Sequence, residues 1–149
     1  MKLRELLGSK DFKYRFPVTV RPDATIAVAI KKLKVHDRGS LPVCNDKGEL
    51  VGIITERDIM RKCFTGNEAL TNIKIQDVMS KQVVIGHPED DLGYAISVMK
   101  QERIRHLPVL DGDLKVIGMV SMRDLLGVQL DESSMQVRFL SDYISGSGD

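Results

Sequence analysis

Apolar positions in this chain fall into short runs and helical stripes that recur twice in one order. The first copy opens on Val18 to Val20, closed by Pro22, and the second on Val83 to Ile85, closed by Pro88. Short apolar runs ended by a proline predict short strands. Ile26, Ala29, Ile30 and Leu33 then fall at i, i+3, i+4 and i+7, and Leu92, Ala95, Ile96 and Met99 repeat that spacing. This predicts one amphipathic helix per copy. Leu41 to Cys44 and Leu107 to Leu110 read as short buried strands, each entered with a proline. Asp46-Lys47-Gly48 and Asp111-Gly112-Asp113 read as turns. Leu50 to Ile54 and Val116 to Val120 are apolar enough for central strands. A second helix is expected from Glu56 to about Phe64 and from Met122 to about Leu130.

A single offset aligns the copies. Pro22 and Pro88, Leu41-Pro42-Val43 and Leu107-Pro108-Val109, Gly52 and Gly118, Thr55 and Ser121, and Asp58 and Asp124 all lie 66 positions apart. The fold class is therefore α/β, with each repeat ordered β-α-β-β-α. A half of about 60 residues buries too little surface to stand comfortably alone. Two helices on one side of a small sheet also leave its other face bare. The expected solution packs the two sheets together about a pseudo-twofold axis, with two equivalent clefts where the halves meet. Residues 8–64 form the first repeat, 65–72 the linker and 73–130 the second, with Ile75 to Met79 a short helical turn. Leu3 to Leu7 reads as a short extra N-terminal helix. Residues 131–149 read as a C-terminal amphipathic helix, from the spacing of Val137, Leu140 and Ile144, with a frayed tail.

Composition narrows the function. The 149 residues carry a formal net charge of +1, so no overall field draws the chain to nucleic acid or membrane. Aromatics are 5% with no Trp, leaving few platforms for single-strand stacking. No apolar stretch approaches the ~20 residues of a membrane span. Cys44 and Cys63 make no disulfide framework and read as small buried hydrophobes. The three His and two Cys show no metal-ligand spacing. There is no G-x-G-x-x-G, Walker loop or G-x-S-x-G. Glu89-Asp90-Asp91 reads as a helix start, His87 as a loop residue, His36 as a solvated helix end, and Lys31-Lys32-Leu33-Lys34 as a solvated face around one core Leu.

The candidate chemistry sits at Thr55-Glu56-Arg57-Asp58 and Ser121-Met122-Arg123-Asp124, where a buried strand turns into a helix. A hydroxyl and free backbone N–H groups there suit a phosphate. An Asp one turn on offers two oxygens to adjacent ribose hydroxyls, and Arg57 and Arg123 add forks for phosphate. Ser/Thr-x-x-Asp is equally a variant of the helix capping box, and duplication preserves caps as well as sites. The second candidate is Arg103-Ile104-Arg105-His106, a phosphate clamp or a solvated charge cluster. It stands where the first copy has Asp37-Arg38-Gly39-Ser40.

These motifs resemble a tandem pair of CBS domains, often called a Bateman module. The likeness lies in Leu41-Pro42-Val43 followed by Gly52-Ile53-Ile54-Thr55-Glu56-Arg57-Asp58, repeated as Leu107-Pro108-Val109 followed by Gly118-Met119-Val120-Ser121-Met122-Arg123-Asp124. Asp77-Val78-Met79-Ser80 resembles the segment that opens a repeat, and the likeness spans about residues 14–130. The tail from Leu140 to Gly146 is similar to that of stand-alone two-repeat proteins of bacteria, mitochondria and plastids. The resemblance implies a free-standing, non-catalytic regulatory module, paired as a homodimer, that acts on some other protein. The expected location is the cytoplasm, or an organelle matrix if a targeting segment is removed. The implied ligands are AMP, ADP or ATP, with NAD(H) and S-adenosylmethionine as further candidates. Carried over, one cleft combines Thr55, Arg57 and Asp58 with Val83, Val84, Ile104, Arg105, His106 and Pro108. The other combines Ser121, Arg123 and Asp124 with Val18, Thr19, Gly39, Ser40 and Pro42. Arg105 and His106 are expected near the axis, in reach of either. The first repeat lacks a base matching His106, so unequal sites are expected. The alternative is an interaction scaffold with vestigial clefts; no nucleophile, base and orienting group are visible for an enzyme.

Overall fold

The computed structural model describes residues 1–9, 17–64, 66 and 68–130. A short helix, α1 (Leu3–Leu7), precedes the first repeat. Thr25 is extended, and its Oγ1 accepts from Val28 N, which starts α2 (Ile26–Val35). Strand β1 (Ser40–Cys44) pairs antiparallel with β2 (Leu50–Thr55), Leu41 opposite Ile54, and α3 (Glu56–Lys62) follows directly. After a single 3₁₀ turn at Ile75–Asp77, the second repeat supplies α4 (Leu92–Glu102) and β3 (His106–Leu110). Strand β4 (Val116–Ser121) follows, and then α5, residues 122–130. Leu107 stands opposite Val120, the same register as in the first repeat. The expected C-terminal helix lies outside the described residues.

The leading strand of each repeat is shorter than its apolar run suggests. Val20 bridges Val43 in parallel, and Gly86 bridges Val109. Val20 N donates to the Pro42 carbonyl and Val20 O accepts from Cys44 N; Gly86 does the same with Pro108 and Leu110. Extending either ladder backwards needs an N–H on Pro42 or Pro108. Extending it forwards needs one on Pro22 or Pro88. Proline has none, so each strand stops at one residue. The bridging residue of the second copy is Gly86, just past the apolar run Val83 to Ile85.

Successive strand side chains alternate between faces. Leu41, Val43 and Ile54 join Ile26, Ala29, Leu33 and Ile59 in one core; Leu107, Val109 and Val120 join Leu92, Ala95, Met99 and Leu125 in the other. The opposite faces carry Cys44 and Ile53 in one hairpin and Leu110 and Met119 in the other, all buried yet outside both cores. β1 packs against β4, and Glu49 bridges its own equivalent, Lys115, antiparallel. Equivalent residues pairing with each other mark the pseudo-twofold axis, and the two sheets meet across it. Both cysteines are free and buried, and burial pushes both thiols up.

The two leading segments are exchanged. Ile75 N donates to Ala24 O and Gln76 N to Pro22 O, closing the first repeat's core with Ile75 and Val78. Leu3 N donates to Asp90 O and Arg4 N to Pro88 O, so Leu3, Leu6 and Leu7 close the second core. Thus α1 is the counterpart of the 3₁₀ turn. Glu89, read as part of a helix start, pairs with Lys2 and Arg4, and the Lys2 hydrogen bond holds its carboxyl below the usual range.

Gly52 and Gly118 receive these segments. A Cβ on Gly52 meets Met79 Sδ at 2.6 Å and the Ser80 carbonyl oxygen at 2.9 Å; one on Gly118 meets only Leu7 side-chain carbons. The Ser80 carbonyl is held by Ile53 N at 3.0 Å. Gly52→Ala is therefore expected to cost about 1–3 kcal/mol in urea denaturation, and Gly118→Ala less. Equal costs would show that the Ser80 carbonyl yields.

Candidate ligand site between the repeats

Strand β2 runs into α3 without a loop, and β4 into α5. Thr55 Oγ1 accepts from Asp58 N at 3.0 Å while Asp58 Oδ2 accepts from Thr55 N at 3.3 Å. Ser121 and Asp124 make the same reciprocal pair, both bonds at 3.0 Å. Both are capping boxes, with Asp where Glu is usual. The cap fixes each carboxylate through Oδ2 and leaves Oδ1 to accept from another donor. The backbone is less open to phosphate than the sequence suggests. Glu56 N donates to Gly39 O at 3.1 Å and Met122 N to Arg105 O at 2.8 Å, so the first amide of each helix is used, as is the third.

Ser40 stands opposite Thr55, and His106 opposite Ser121. Cross-strand partners share a face, so each hairpin end presents one strand-start residue beside one cap. The ends meet: a Cβ on Gly39 would lie 3.0 Å from His106 Nε2. The imidazole of the second repeat thus rests against the bare backbone of the first. His106 also feels its own repeat's Asp124. The structure therefore joins Ser40 to Thr55 and its cap partner Asp58, joins His106 to Ser121 and its cap partner Asp124, and brings His106 against Gly39 of the first repeat.

The remaining candidates are distributed as follows. Pro42 and Pro108 are buried in their strands; Arg57, Arg105 and Arg123 are exposed; Thr19 and Val83 are half-buried. Val18 packs on the first repeat's own core, and Val84 and Ile104 on the second's. Lys32, read as part of a solvated run, instead donates from Nζ to Thr19 O at 2.8 Å. Val98 stands at its equivalent in the second repeat, a difference visible in the aligned copies. An open depression of about 330 Å³ lies elsewhere, lined by Arg21 to Asp23 and Asn45 to Lys47 and crossed by an Arg21–Asp46 ion pair. Among the described residues no cluster of His, Cys, Asp and Glu is arranged to hold a metal.

Burial pushes the His106 imidazole below its ordinary value; Asp124 opposes this and Arg105 adds to it. On acidification the unfolded chain, titrating near ~6.5, takes up its proton first. This contribution to stability is complete above that pH and falls as the pH drops toward the lower folded value. Urea midpoints followed down in pH are expected to show an acid loss in the wild type that His106→Gln lacks. Parallel curves would contradict a desolvated ring.

The model of the CBS domain matches residues 10–64 and 75–131, and the chain belongs to the CBS-domain family as a pair of repeats. An uncharacterised 17.7 kDa protein of Acidianus ambivalens is 35% identical over 129 residues, covering 87% of this chain and 77% of that protein. Inosine-5'-monophosphate dehydrogenase of Methanocaldococcus jannaschii is 35% identical over 109 residues, which cover 73% of this chain but 21% of the enzyme. Among solved structures, a protein with CBS domains from Burkholderia ambifaria MC40-6 superposes with a TM-score of 0.79 at 30% identity, covering 88% of this chain and 95% of that one. The CBS domain pair of protein MJ0100, solved in complex with 5'-methylthioadenosine and S-adenosyl-L-methionine, gives 0.73 at 27% identity, covering 86% and 98%. No helix of the described residues is long and apolar enough to cross a membrane.

Proposed function

We propose that this chain is a regulatory ligand-binding module that takes an adenosine-containing ligand between its repeats and transmits occupancy as a change in how the repeats sit. AMP, ADP or ATP is the first choice, with S-adenosylmethionine and NAD(H) next. One observation carries the reading: two carboxylates, each fixed through one oxygen by a cap, stand at equivalent positions of two repeats whose strand starts touch at Gly39 and His106. Each leaves an oxygen for a ribose hydroxyl, beside apolar strand faces that suit a purine and arginines that suit phosphate. The adenosyl ligands of the MJ0100 pair support the class of ligand. A ligand touching both halves favours the arrangement it binds best.

The test is a thermal melt against AMP, ADP, ATP, S-adenosylmethionine and NAD(H). At 100 times its dissociation constant a ligand adds about 2.7 kcal/mol, a rise of roughly 5–10 °C for a chain of this size. No shift with any of the five would overturn the reading.

A homodimer is part of the same proposal. Met60 on α3, Phe64 two residues past its end, and their equivalents Leu126 and Leu130 on α5, are exposed. Apolar residues at matching positions of both repeats offer a face that a second copy can cover. The buried free thiols fit a reducing compartment such as the cytoplasm.

A further inference from the structure

The contact that joins the two repeats contains a group that titrates. His106 Nε2 is the atom nearest to where a Cβ on Gly39 would stand, at 3.0 Å. The half-buried imidazole hydrogen-bonds no described residue. A neutral ring tolerates this, but an imidazolium carries an N–H on both nitrogens and both need acceptors. Gly39 has no side chain to accept one, and its carbonyl already accepts from Glu56 N at 3.1 Å. The cap lies on the other side. His106 stands opposite Ser121, and Asp124 spends Oδ2 on Ser121 N. We propose that His106 sets the ligand in competition with a proton: the neutral ring rests on Gly39 and leaves the second Asp124 oxygen to the ligand, whereas the protonated ring leaves Gly39 and takes that oxygen. The inference rests on the functional reading above and adds a regulator to the same site.

The charges around the ring fix the direction. Asp124, at the start of α5, favours the imidazolium; burial and the neighbouring Arg105 disfavour it. From the first repeat the ring meets Gly39, between Arg38 and Ser40, and no group of that repeat is among the charges that act on it. Asp124 alone draws the proton in, and a ligand hydroxyl on Asp124 wants the same oxygen. Acid therefore opens the Gly39 contact and releases the ligand together. Ser40 holds the equivalent position beside Thr55 and Asp58 and carries no titrating group, so the other carboxylate serves as an internal reference.

The test titrates the whole chain with S-adenosylmethionine, and with AMP in parallel, at about pH 7.5 and about pH 5, either side of the ordinary imidazole value. Backbone amide resonances report each carboxylate separately. The affinity read at Ser121 and Asp124 is expected to fall about threefold to tenfold more in the wild type than in His106→Gln, because only the neutral fraction of the ring admits ligand. That comparison cancels any titration of the ligand itself. The affinity read at Thr55 and Asp58 is expected to change equally in both proteins, and it supplies the comparison within the wild type should His106→Gln fold poorly. Without ligand, the Gly39 amide is expected to follow the ring's titration in the wild type and to stay still in His106→Gln. Equal pH dependence of the two proteins at Ser121 and Asp124, tighter binding in acid, or a Gly39 amide that ignores the ring would overturn the competition and leave the ligand reading standing. Binding of neither probe to either protein at about pH 7.5 would overturn both.

Discussion

Leu3→Ala is expected to destabilise the chain by about 2–5 kcal/mol, the range for emptying a fully buried leucine site, and to loosen the second repeat before the first. Leu3 is 0% exposed, although it lies 89 positions before Leu92 of the core it fills. Its N–H is held by Asp90 O at 2.9 Å, and Met1 O accepts from Leu92 N at 2.8 Å. The side chain is thus pinned on both sides and the gap cannot close by drift of the terminus. Urea denaturation measures the loss. Hydrogen exchange locates it: amides of β3 and β4 should lose protection while those of β1 and β2 keep theirs. A cost under about 1 kcal/mol, the level of an ordinary surface change, would mean that α1 is a loose appendage.

Asp58→Ala combined with Asp124→Ala is expected to abolish the ligand-induced rise in melting temperature altogether. Each substitution also removes half of a capping box, costing about 1 kcal/mol of helix stability, so the free protein melts lower as well. The two effects separate in the asparagine versions. An Asn side chain still offers an oxygen to Thr55 N or Ser121 N, so Asp58→Asn with Asp124→Asn should recover most of the lost stability. It has one acceptor oxygen where the carboxylate has two, and no charge, so the ligand response should stay largely lost. A double alanine variant that keeps the full shift would remove the carboxylates from the site.

The duplication was legible because the 66-position offset holds through every strand and helix of the repeat body. The exchange of leading segments was not, because Leu3 and Ile75 lie 72 positions apart. The connection from α1 into the first repeat is six residues longer than its counterpart, and that breaks the alignment. The leading strands were over-read at Val18 to Val20 and Val83 to Ile85. Apolar runs report burial, whereas strand length here is decided by the missing N–H groups of Pro22, Pro42, Pro88 and Pro108. At the site, Thr55, Asp58, Ser121 and Asp124 could be named from their motif, but cap and ligand group share one spacing, and only coordinates show the cap in place with an oxygen to spare. The contact of His106 with Gly39 joins residues of different repeats, and period-2 alternation assigns a face without naming what lies across it. Lys32 was hidden in a run of three lysines whose charge says nothing about which one folds back onto Thr19.

The central claim is tested most directly by following backbone amide resonances during titration with AMP. The shifts are expected to concentrate at Gly39 and Ser40, Thr55 to Asp58, Ile104 to His106 and Ser121 to Asp124, with Val35 and Tyr94 on the outer helices unmoved. Shifts gathered instead around Arg21 to Asp23 and Asn45 to Lys47, with the two caps silent at saturation, would contradict it.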